Sequence, residues 1–297
     1  MKHRTAWLHH AFVFVSVVFL LAASPLEAQL RSGDCSHLVV NRSFSQQFQG
    51  FFNMGILVPT AGAGFITFLP GGKMKGSVTL AIGELGVIPD ITFDSNASQY
   101  SLSWDQTKTP AVCSGTITLI AAGEPPFDFQ LVVTEGGQQV EMIHTDAGLT
   151  VTVTGLPVPT RGCSNRAVGA TYSYTMTGWG LATPDLSFPP EQMLSGYYPF
   201  AFSGAMELDA SGGTVWWDTA SLNGTIMTRS GTGSYAVKPD CTGTLVLPTA
   251  SPTGQAINAE LFVGKDGVLY IVDLDTDAIS GIPLYVLSGT LHTTRMP

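Results

Sequence analysis

Apolar and polar residues alternate with period two over many short stretches of this chain. Ser77-Val78-Thr79-Leu80-Ala81-Ile82 is one such stretch. Gln138 to His144, Thr150 to Thr154, Gly233 to Val237 and Val268 to Leu274 are others. That period places successive side chains on opposite faces of an extended strand, so one face can be buried. Turn signals separate the stretches: Pro70-Gly71-Gly72, Gly136-Gly137, Ser211-Gly212-Gly213, Asn223-Gly224 and Asp266-Gly267. Thr and Val beside such turns pack well on a pleated surface. No segment carries a sustained helical period with caps. The pattern predicts about eight strands in each half of the chain. Strands joined in order by tight turns form a meander. A meander closes most naturally into an up-and-down barrel, which leaves no edge exposed. The reading is an all-β protein of two tandem antiparallel β-barrels, with two β-sandwiches as the alternative.

The two halves say nearly the same thing. Thr109-Pro110-Ala111-Val112-Cys113-Ser114-Gly115-Thr116-Ile117-Thr118-Leu119 returns as Val237-Lys238-Pro239-Asp240-Cys241-Thr242-Gly243-Thr244-Leu245-Val246-Leu247. Gly50-Phe51 matches Gly178-Trp179 at the same offset, and Gly64 matches Gly204 at a longer one, so the second half carries an extra loop near Thr183 to Ser195. Leu156-Pro157-Val158-Pro159-Thr160-Arg161-Gly162 reads as the linker. The expected organisation is a signal peptide over 1–28, a first barrel over 29–156, a linker over 157–162 and a second barrel over 163–297.

The start of the chain supports that leader. Lys2, His3 and Arg4 are basic, Ala11 to Ala23 is an apolar run, and Leu26-Glu27-Ala28 offers a cleavage site before Gln29. Secretion, extracellular or periplasmic, is therefore expected. No later stretch is long and apolar enough to cross a bilayer, so stable membrane insertion is not expected.

Secretion changes the reading of the four cysteines, because an oxidising compartment favours disulfides. Four cysteines allow three pairings. The repeat selects Cys35–Cys113 and Cys163–Cys241, since each copy should carry its own bond. Charge adds an exclusion. The chain has 13 Lys and Arg against 22 Asp and Glu, a net charge of -9, and losing Lys2, Arg4 and Glu27 with the leader makes it one unit more negative. Nucleic acid, which needs a basic patch, is not an expected partner.

Gly233-Ser234-Tyr235, a short strand and then Pro239-Asp240-Cys241-Thr242-Gly243-Thr244-Leu245, followed by an Asp-Gly hairpin and a Thr-Asp turn, resembles a group of secreted bacterial proteins. Their domains look like calycin-type or allene-oxide-cyclase-like barrels. The resemblance implies a barrel and an extracellular location, and it implies no catalytic residue.

Candidate chemistry is sparse. Gly-x-Ser-x-Gly, P-loop and His-Glu-x-x-His motifs are absent. Asp273, Asp275 and Asp277 form the densest acidic cluster, and on a strand their carboxylates share a face that could hold calcium. Ala278 stands where an EF-hand loop needs glycine, and the bland reading is a solvated strand end. Trp216-Trp217 with Tyr197-Tyr198 could form an aromatic face for a sugar or an apolar ligand. One of the two tryptophans must then fill the core, because neighbours on a strand point opposite ways. Glu141 or Glu207, if turned inward, would be the carboxylate of a cyclase or isomerase acting on an apolar small molecule. The leading expectation is non-enzymatic: a secreted protein with no cofactor that binds an apolar small molecule, a glycan or a surface, or serves a structural role. A cyclase-type enzyme and a calcium-dependent adhesion module are the alternatives.

Overall fold

The structure is a computed structural model that describes residues 33–53, 55–107, 111–134, 136–181, 196–248, 250, 256–276 and 283–294. The proposed leader, the 183–195 loop and Asp277 lie outside these residues.

Among the described residues seventeen strands build two antiparallel sheets. The first sheet holds β1 (Arg42–Asn53), β2 (Leu57–Leu69), β3 (Lys73–Ile82), β4 (Gly86–Phe93), β5 (Gln99–Asp105), β6 (Val112–Leu119), β7 (Phe127–Thr134), β8 (Gln139–His144) and β9 (Leu149–Pro157). The second holds β10 (Ala170–Leu181), β11 (Tyr197–Leu208), β12 (Gly213–Leu222), β13 (Thr225–Val237), β14 (Thr242–Leu247), β15 (Ile257–Val263), β16 (Leu269–Asp273) and β17 (Tyr285–Thr293). β10 to β17 close into an eight-stranded barrel in sequence order, each strand pairing with the next and β17 with β10. Closure rules out the sandwich for this half.

The first sheet also curls into a ring, with a weaker seam. β9 pairs with β1, β1 with β2 and β2 with β3. β3 then splits its pairing. Most of it binds β4, with a register shift between Val78 and Leu80, and only Lys73 reaches Gln99 of β5. A bridge from Phe93 to Ala121 helps to hold the seam. Pro89 cannot donate to a ladder, and β4 is largely exposed, as expected of a strand at an opening.

Period two governs what fills each ring. Phe44, Phe48, Ile66, Phe68, Met74, Leu131 and Met142 fill the first. Tyr172, Tyr174, Met176, Phe202, Trp216, Leu245 and Ile271 fill the second. Both disulfides form as expected: Cys35–Cys113 and Cys163–Cys241, each with a sequence separation of 78. Each ties the segment before a barrel's first strand to the turn or strand carrying the recurring motif. In the second copy Asp240 Oδ1 accepts from the Thr242 backbone N–H at 3.0 Å and from its hydroxyl at 2.7 Å, while Cys241 sits at φ 70°. These bonds, the Thr242 hydroxyl first, hold the Asp240 carboxyl below its usual range. Asp240 therefore shapes a turn.

Candidate functional site

The barrels touch side by side. Gln47 Nε2 donates to Ser288 Oγ at 3.0 Å, and Thr290 Oγ1 donates to Gln47 Oε1 at 2.6 Å. Thr79 donates to Glu260 Oε2 at 2.7 Å, and burial is the first cause that raises the Glu260 carboxyl above its usual range. Phe65 packs edge to face on Phe262 at 5.1 Å. Ala63 and Ala81 lie against Val272 and Tyr270 in a shared apolar cluster.

Beside this contact the surfaces diverge and leave a cleft of about 560 Å³. β1 and β9 line it on one side with Gln49, Phe51, Thr150 and Thr152; β10 to β12 line it on the other with Thr177, Trp179, Ala201 and Ser221. Gln49 Nε2 donates to Thr177 Oγ1 at 2.8 Å, and the Phe51 and Trp179 rings meet edge to face at 5.9 Å. Two such pairs, two residues apart in both strands, mean that β1 and β10 run side by side in the same direction. The glycine before each ring is required. A Cβ at Gly50 would stand 1.9 Å from the Thr150 carbonyl oxygen, and one at Gly178 would stand 2.1 Å from that of Val286. The described lining of the cleft carries no charged side chain. The described lining therefore offers hydroxyls, amides and aromatic rings.

The aromatic residues singled out from the sequence do not come together here. Trp216 is 1% exposed inside the second barrel, whereas Trp217 is 47% exposed on its outer wall, as the period requires. Tyr198 is buried in the core, and Tyr197 lies between the barrels with Ala61 and Val286. The Tyr197 hydroxyl donates to the Pro283 carbonyl at 3.0 Å, and burial pushes its pKa up to about 12.

The carboxylates are also dispersed. Glu207 is exposed, and Glu141 lies on the outer side of β8, where Thr154 donates to it at 2.8 Å; neither enters a barrel. Asp218 does enter one. Its two oxygens receive Arg229 Nε at 2.9 Å, Arg229 Nη2 at 2.6 Å and the Tyr174 hydroxyl at 2.7 Å. Arg229 also donates to the Ala250 carbonyl and lies 4.0 Å above the Phe202 ring. With its oxygens so engaged, Asp218 is a structural anion. Asp273 is fully buried, which raises its carboxyl well above the usual range, with the nearby Asp275 charge as the next cause. Asp275 is occupied by the backbone and side-chain amides of Asn258 at 2.7 and 2.6 Å. Among the described residues no three His, Cys, Asp or Glu side chains form a metal-binding group. No described helix is long and apolar enough to cross a membrane. A second, wholly apolar-walled cavity of about 40 Å³ lies in the first barrel between Phe48, Val78, Leu80 and Phe129.

No family model and no curated protein matches the chain.

Proposed function

We propose that this is a secreted bacterial, non-enzymatic binding protein, built from two copies of one calycin-type barrel unit. It holds a neutral, hydroxyl-rich chain, an extracellular glycan, in the cleft between the barrels. The observation that carries this reading is the cleft itself. Its volume of about 560 Å³ falls within the range of small-molecule sites, and its described walls are uncharged. The Phe51 and Trp179 rings supply an apolar surface for the C–H face of a sugar. Gln49, Thr150, Thr152, Thr177 and Ser221 supply donors and acceptors for its hydroxyls. An anion or a cation would find no counter-charge among the described residues of its lining.

The two disulfides and the basic–apolar start of the chain support export. The two-copy reading draws on the recurring motif and on matched backbone geometry. A Cβ at Gly115 would meet the carbonyl oxygen of the neighbouring strand's Ser101 at 1.8 Å, and one at Gly243 would meet that of Ala236 at 2.4 Å.

Affinity electrophoresis through gels containing dextran, mannan or xyloglucan tests the reading. Retardation by one of them that Trp179→Ala removes and Trp217→Ala leaves intact supports it. Equal mobility in every gel, or retardation that depends on Trp217, overturns it.

A further inference from the structure

Apart from the Gln49–Thr177 and Phe51–Trp179 pairs at the cleft, where matched positions of β1 and β10 meet, the barrels join through unlike faces. The first presents the outer side of β1 to β3, around Ala63, Phe65 and Thr79. The second receives it on the outer side of β15 to β17, around Glu260, Phe262 and Val272. A contact of this kind is heterologous, so if both units are copies, each keeps an unused version of the patch that its neighbour employs.

Strand register locates the unused patches. Gly64 and Gly204 occupy the same place in their sheets. A Cβ on the first would stand 2.3 Å from the Ser77 carbonyl oxygen, and on the second 2.1 Å from that of Trp217. The outer face of β11 and β12 is thus the counterpart of the β2–β3 face. Ala205 stands opposite Trp217 where Phe65 stands opposite Ser77, so each face carries one aromatic ring; on β11–β12 it stands beside Val215 and the exposed Glu207. Phe65 is partly buried against the second barrel, yet Trp217 and Val215 are 47% and 48% exposed. By the same register, β8 and β9 are the counterparts of β16 and β17. Ile143 pairs with Thr152 as Val272 pairs with Ser288. Val272 is fully buried, and Ile143 is 50% exposed.

We propose that the protein associates head to tail with further copies of itself. The β11–β12 face around Trp217 of one copy docks on the β8–β9 face around Ile143 of the next, repeating between molecules the contact that each molecule makes internally. The inference rests on the two-copy reading of the barrels; Thr152, which pairs with Ile143, also lines the cleft, whereas Trp217 and Ile143 do not. Because a docked pair still presents one free patch of each kind, assembly continues beyond a dimer unless a ring closes.

Sedimentation velocity of the disulfide-bonded protein from about 1 μM to about 1 mM, a range that captures weak contacts, reads the outcome. The weight-average mass should climb past that of a dimer. Trp217→Ser and Ile143→Lys, both at exposed positions, should each remain monomeric and keep the parent melting temperature. Mixed in equal amounts, the two variants should form dimers and stop, since each retains the face that the other lacks. A monomer at every concentration overturns the proposal. So does a closed dimer, or a mixture as monomeric as its components. Retention by a neutral polysaccharide gel should survive both substitutions, so its loss would count against the cleft reading and not against this one.

Discussion

Phe51 and Trp179 meet edge to face, 5.9 Å between ring centroids, on the line where the two barrels separate into a cleft. Each follows a glycine whose missing side chain lets the neighbouring strand's carbonyl approach. The pair is thus fixed by close backbone packing on both sides, and a rigid aromatic surface binds a ligand without the cost of ordering itself. Trp179→Ala should weaken binding of whichever neutral glycan is retained by about tenfold, the equivalent of 1.4 kcal/mol. Isothermal titration calorimetry checks this, with Trp217→Ala expected to leave the affinity unchanged.

Arg229→Met should be severely destabilising. It strands Asp218 inside the second barrel without its bidentate partner, and breaking a buried pair in this way costs about 3–5 kcal/mol. Replacing both partners, Asp218→Leu with Arg229→Met, should recover most of the loss. Urea denaturation of the two variants separates these outcomes; equal damage in both would show that packing, not charge, sets the cost.

Asp273 gives stability a pH dependence of defined sign. Burial raises its folded pKa above its unfolded value, so the folded state favours the protonated carboxyl. Its contribution is complete below the unfolded pKa, about 3.9, and is lost as pH rises through the folded value. Asp273→Asn keeps a neutral side chain of the same shape. The variant should therefore gain stability relative to the parent as pH rises from about 4 to about 9. Parallel slopes of urea midpoint against pH in the two proteins would contradict this.

Gln46 is fully buried on β1, and neither side-chain amide atom finds a hydrogen-bond partner among the described residues. An unpaired buried amide costs about 1–3 kcal/mol. Gln46→Met, of similar length and shape, should raise the thermal midpoint. A lower midpoint would mean that an ordered water or a ligand satisfies this amide.

Local rules carried most of the fold. The period-two stretches at Ser77 to Ile82, Gln138 to His144 and Val268 to Leu274 fall on β3, β8 and β16, and the turns place Asn223 and Asp266 at φ 46° and 59°. The same alternation sends Trp216 inward and Trp217 outward. The repeated cysteine spacing fixed both disulfides. What stayed hidden is long-range. Gln47 meets Thr290, and Thr79 meets Glu260, across the barrel contact, and no local period encodes which outer face finds which. β3 gives β5 only Lys73 and pairs β4 through a register shift that leaves Pro89 and Asp90 out of the ladder, details that a strand count does not carry. The cleft left one sequence signal, the matched dipeptides Gly50-Phe51 and Gly178-Trp179. Its meaning emerges only when the two rings are seen to touch.

The most direct test of the cleft as a glycan site is a titration followed by amide and indole NMR, using the neutral polysaccharide that retards the protein, cut to oligosaccharides. Shifts centred on the Trp179 indole N–H, the Gln49 side-chain amide and the backbone of Thr150, Thr152 and Ser221 are the predicted result. Shifts centred on Trp217, or a spectrum unchanged by every oligosaccharide of a retained polysaccharide, would contradict it.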